Sequence, residues 1–151
     1  MRLSATLILL ALSLPCPVGA QVELVVIVHP SVKLDTLSKG ELLDYYTGDT
    51  QCWPDGEAVV VKDLGEKGDV RDGFYRFLGK RPSRMKSIWL RMMLSGEGEP
   101  PESLDSEESM LAAVARTPGA LGFVGRTHVT DQVRVLMLIS GDRAHPPPRD
   151  R

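Results

Sequence analysis

One stretch of this 151-residue chain has residue types and spacing suited to binding: Lys62-Asp63-Leu64-Gly65-Glu66-Lys67-Gly68-Asp69, with Arg71 just beyond. A strand is expected to end near Val61, a glycine-containing loop to follow and a helix to start at Asp69. Unpaired N–H groups at such a helix start can face an anion, while Lys62, Lys67 or Arg71 adds positive charge. Asp63, Glu66, Asp69 and Asp72 form an acidic cluster in the same region. A solvated loop and a helix start, where acids favour the macrodipole, account for them without acid–base chemistry.

Other chemistry is poorly represented. His29, His128 and His145 are far apart and match no metal-ligand spacing. No G-x-S-x-G, phosphate loop or dinucleotide fingerprint occurs, so no cofactor is implied and no nucleophile and base pair can be named. Cys16 and Cys52 are the two cysteines. If Cys16 leaves with an N-terminal leader, Cys52 has no intramolecular partner, and burial beside Trp53 is the expectation.

The elements that must position the binding stretch can be read from periodicity and punctuation. Val22 to Val28 is rich in β-branched residues and stops at His29-Pro30, which marks a strand. Ser38 and Glu41 have capping-box spacing, Leu42, Leu43 and Tyr46 provide an apolar side, and Gly48 supplies a stop. Pro54-Asp55-Gly56 turns the chain into a short apolar strand, Ala58 to Val61. Beyond the loop Lys62 to Gly68, Asp69 is expected to cap a helix reaching Leu78, with Phe74, Phe77 and Leu78 inward. Pro82-Ser83 opens another helix, whose stripe of Met85, Ile88, Trp89, Met92 and Met93 is expected to be core. Ser95 to Pro101 reads as a solvated loop. Ser106 caps a fourth helix to Arg116, Thr117-Pro118-Gly119 turns into the strand Ala120 to Val124, and Val133 to Ile139 is a last strand.

Composition bounds the rest. The hydrophobic fraction of 42% is ordinary for one globular domain, and a net charge of −2 shows no dominant sign. No basic tract with interleaved aromatics is present, which excludes the usual nucleic-acid footprint. Arg2, the apolar run Leu3 to Leu14 and the small residues Val18-Gly19-Ala20 make residues 1–20 a secretory signal peptide, expected to be cleaved before Gln21. The run is too short to span a bilayer, and Pro15 before Cys16 is a poor approach to a lipidated cysteine. Residues 21–140 are expected to form the domain, and the proline-rich 141–151 a disordered tail.

The order of motifs then resembles a known family. Val25-Val26-Ile27-Val28-His29-Pro30, Leu37-Ser38-x-x-Glu41-Leu42, Tyr46-Thr47-Gly48 and Trp53-Pro54-Asp55-Gly56 are similar to segments of phosphate-type periplasmic substrate-binding proteins, of the type-2 periplasmic-binding-protein superfamily. Val59-Val60-Val61-Lys62, Phe74 and Thr117-Pro118-Gly119-Ala120-Leu121-Gly122-Phe123-Val124 continue the match in order, so that it spans about Leu24 to Leu138. The resemblance implies an α/β fold, a single lobe of the type-2 binding-protein fold, with a mixed sheet of about four to five strands flanked by helices. Full-length relatives close two lobes over phosphate, and this chain is too short for the second.

The resemblance also implies a role: binding phosphate or another small oxyanion in the periplasm, in support of ABC-type uptake or sensing with a membrane transporter or sensor as partner. Lys62, Gly68, Asp69 and Arg71 would line the site, Gly68 and Asp69 through backbone N–H groups. The sequence departs from the family there, because Gly68-Asp69-Val70 stands where phosphate binders carry a Ser-Gly-Thr run. Both hydroxyls are lost, and Asp69 adds charge that opposes a dianion. Lys62 in place of an arginine loses a bidentate fork. The alternative expectation is a ligand-free lobe that serves as a protein-interaction module of an envelope or sensory complex.

Overall fold

The computed structural model describes residues 22–65 and 68–140. The signal peptide and tail expected at the two ends, together with Glu66 and Lys67, lie outside the described residues. Strand β1 (Leu24–Val28) is followed by α1 (Lys39–Thr47), β2 (Val60–Leu64), α2 (Asp69–Leu78), α3 (Pro82–Ser95), β3 (Glu102–Leu104), α4 (Glu107–Arg116), β4 (Ala120–Gly125) and β5 (Arg134–Ile139). A single 3-10 turn, Arg126–His128, separates β4 from β5. The strands form one mixed sheet in the order β3-β2-β4-β1-β5. β2 runs parallel to β3 and β4, while β1 is antiparallel to β4 and β5.

The core lies on both faces of β1 and β4, which are buried along their whole length. On one face Phe74 of α2 stacks on Phe123, with ring centroids 3.8 Å apart and planes 5° from parallel, and Tyr46 of α1 tilts against both rings. On the other face Gly122 makes room for α4, since a Cβ there would press on Met110 and Val114. The Pro-Gly turn before β4 has a comparable reason. Gly119 sits at φ 73°, and its carbonyl accepts both Val60 N–H (3.1 Å) and Trp53 Nε1–H (3.0 Å). That residue therefore ties β2, β4 and the buried Trp53 together.

Helix starts follow the expected chemistry in two cases. Ser38 and Glu41 form a reciprocal capping box on α1, and Ser106 Oγ accepts from Ser109 N–H on α4. The α2 start differs, because Gly68 is the N-cap and Asp69 is the first helical residue, so Asp69 does not cap. β2 also runs further than expected. Lys62 and Asp63 belong to the strand and not to a loop, because β3 pairs with Lys62 through Leu64. The three-residue β3 was unmarked in sequence, since it is short and follows directly on Pro100-Pro101.

Two burial expectations are overturned. Cys52 is exposed, not buried, although its neighbour Trp53 is 3% exposed. Cys52 lies in an isolated antiparallel bridge with Ala58, and successive side chains in extended backbone point to opposite sides, so Trp53 inward puts Cys52 outward. On α3 only Met85 and Met92 are buried, and Met93 is 50% exposed. That helix sits outside the sheet layers, against α1, and buries one narrow side.

Candidate functional site

The carboxyl end of β2 leads directly to the α2 N-terminus, and the same end of the sheet carries the carboxyl ends of the parallel strands β3 and β4. Crevices at this edge of α/β sheets are where ligands bind. Asp72 N–H makes the first intrahelical bond of α2, to Gly68 O at 2.9 Å. The N–H groups of Asp69, Val70 and Arg71 precede it and have no carbonyl within the helix. Gly68 brings no side chain to cap them, and a Cβ there would meet nothing within 4 Å. Among the described residues no side chain caps the helix start, and Asp69 and Asp72 stand in its first turn.

Arg71 reaches back from this first turn to β2. Its Nη2 lies 3.3 Å from Asp63 Oδ2, and its guanidinium carbon lies 5.0 Å from the Tyr75 ring centroid. Nε of Arg71 is buried with no hydrogen-bond partner among the described residues. Tyr75 O–H donates to the same Asp63 oxygen at 2.6 Å, and Leu64 N–H donates to Oδ1 at 2.8 Å. Asp63 is therefore held from three sides. Burial first, and then the Asp63 charge, push the Tyr75 hydroxyl far above its ordinary range, so it remains a donor.

Gly68, Asp69 and Arg71 come together at this helix start. Lys62 does not join them. Asp63 points toward α2, so alternation along β2 sends the Lys62 side chain to the opposite face of the sheet. There the ammonium is ion-paired with Glu102 of β3, and Lys62 is only 6% exposed. Lys62 hydrogen bonding, then its charge, hold the Glu102 carboxyl below its usual range. A cleft of about 390 Å³ opens beside this edge of β2, between Trp89, Tyr45, Val59 and Pro100.

A second polar cluster at the same sheet end was not visible in sequence. Glu107, in the first turn of α4, accepts Gly125 N–H at 2.5 Å and lies 3.3 Å from His128 Nδ1. Glu107 is 18 positions from Gly125 and further still from His128, and only the α4–β4 packing joins it to them. No group of His, Cys, Asp and Glu suited to a metal ion occurs among the described residues. No helix among them is long and apolar enough to cross a membrane.

This architecture is the fold of one part of the phosphate-type ABC transporter substrate-binding proteins. A putative phosphate transporter substrate-binding protein from Clostridium perfringens, solved with bound phosphate, aligns with a TM-score of 0.63 at 18% identity, over 75% of this chain and 43% of that one. An ABC-type phosphate transport receptor from Vibrio cholerae aligns with a TM-score of 0.60 at 16% identity, over 75% and 44%. In sequence, the chain is similar to the phosphate-binding protein PstS of Bacillus subtilis, 29% identical over 126 residues. The match takes in 81% of this chain but 37% of that relative, so the chain spans well under half the length of the proteins it matches. No family model matches the sequence.

Proposed function

We propose that this chain is an oxyanion-binding lobe of the phosphate class, exported through residues 1–20 to act in ABC-type uptake or in sensing. The observation that carries the reading is the first turn of α2, uncapped by any side chain among the described residues, beside a guanidinium that is only partly used. Arg71 spends Nη2 on Asp63, while its buried Nε has no partner among the described residues. An oxyanion at this turn would accept from the backbone N–H groups near Gly68 and Asp69 and from Arg71. Lys62, on the opposite face, contributes only long-range charge. The role is binding without bond chemistry.

Isothermal calorimetry with inorganic phosphate and with sulfate tests this directly. Heat with phosphate in the millimolar range or below is expected, and Arg71→Ala should abolish it. No heat and no thermal shift with either anion would overturn the reading.

A second reading rests on the same residues. Among the described residues, each cation near the site has a carboxylate partner, Lys62 with Glu102 and Arg71 with Asp63, and Asp69 and Asp72 add negative charge at the helix start. A lobe so neutralised would serve as a protein-interaction module. Co-purification of a stoichiometric envelope protein, with no anion response in calorimetry, is the outcome that reading expects.

A further inference from the structure

The cations of this protein are unevenly placed. Between Gly79 and Gly96 stand Lys80, Arg81, Arg84, Lys86 and Arg91 and no acidic residue, in a chain whose net charge is −2. Glu97 and Glu99 follow only beyond the Gly96 C-cap. Arg81, Arg84, Lys86 and Arg91 are exposed, and among the described residues none of the five cations takes part in an ion pair. This stretch is α3 with its entry turn.

The same helix is apolar on two sides. Met85 and Met92 face inward, whereas Leu90, Met93 and Leu94 are 51%, 50% and 78% exposed. At 3.6 residues per turn, Leu90, Met93 and Leu94 form one patch on the side away from Met85 and Met92. Lys86 lies within that outer side, and Arg91 and Arg84 lie beyond one edge of it. Long, flexible apolar side chains with unpaired cations among and beside them on a peripheral helix are what an anionic lipid surface takes up.

We propose that α3 is a peripheral docking helix for an anionic lipid surface, lying along the membrane with Leu90, Met93 and Leu94 in the headgroup region and the cations against the lipid charge. The inference is independent of what α2 binds. It concerns a helix that lies on a membrane and does not span one.

Co-sedimentation of the full chain with vesicles tests it, comparing phosphatidylcholine alone with equal parts phosphatidylglycerol and phosphatidylcholine. Partition onto the anionic vesicles is expected, weakening as salt is raised. Leu90→Ser with Leu94→Ser, and separately Arg84→Gln with Lys86→Gln and Arg91→Gln, should each lower the partition coefficient at least about tenfold, and up to about a hundredfold for the triple charge variant. All five positions are exposed, so unchanged circular dichroism is expected and serves to confirm folding. Leu138→Ser, at an exposed position on β5, should leave partition unchanged. Three outcomes overturn the proposal. They are no preference for anionic vesicles, partition that survives both α3 variants and so belongs to the N-terminal segment, and an equal loss in Leu138→Ser.

Discussion

Asp63 and Lys62 are adjacent in sequence and opposite in function. Asp63 takes three donors on the α2 side of the sheet, and Tyr75 is the shortest of them at 2.6 Å. Tyr75→Phe removes a hydrogen bond to a charged, largely enclosed carboxylate. A loss of about 2 kcal/mol is expected in urea unfolding. Arg71 would then be the only side chain left on that oxygen, so phosphate affinity should fall in the same variant if the proposed site is right. On the other face, Lys62 depresses the Glu102 pKa below the usual carboxylate value of 4.5. A group depressed in the folded state stabilises above its unfolded pKa, and that stability is lost as pH falls through the folded one. Melting temperature measured from about pH 6 down to pH 3 should therefore fall more steeply in the wild type than in Glu102→Gln. Lys62→Met should flatten the same pH dependence, because it removes the ammonium that depresses the Glu102 pKa.

At the scale of elements, the first three helices are fastened differently. α1 has its capping box, and Ser38→Ala should cost about 1 kcal/mol in chemical denaturation. α2 lacks a side-chain cap and is held by its buried aromatic face, where Phe74 is fully enclosed against Phe123 and Tyr46. Phe74→Ala should cost about 3–5 kcal/mol, a large share of the stability of a domain this size. The contrast bears on binding. A helix anchored by its middle can leave its first turn open to a ligand. α3 has neither device beyond Met85 and Met92, and its free side accounts for the surface chemistry inferred above.

For the whole molecule, binding and folding are linked. An anion that binds only the folded lobe at about a hundredfold its Kd should add about 2.7 kcal/mol of stability. Scanning calorimetry with phosphate, compared with chloride at equal ionic strength, should show that rise in wild type and lose it in Arg71→Ala. The lobe matches less than half the length of the longer proteins it resembles.

Much of this fold was legible because its signals are local. The Ser38 and Glu41 spacing, the β-branched run of β1 and the Thr117-Pro118-Gly119 turn depend on residues within a few positions of one another, and each appears where expected. The meeting of Gly68, Asp69 and Arg71 was readable for the same reason, since one helix turn joins them. What tertiary structure decided was every property that depends on a distant partner or a choice of face. β3 extends β2 and gives Lys62 its Glu102, 40 positions away. Strand alternation then separates Lys62 from the helix start, and the burial of Trp53 turns Cys52 outward. The methionine periodicity of α3 marked a helix with an apolar side. That one side is covered and the other left bare is a matter of where the helix docks, which periodicity does not encode.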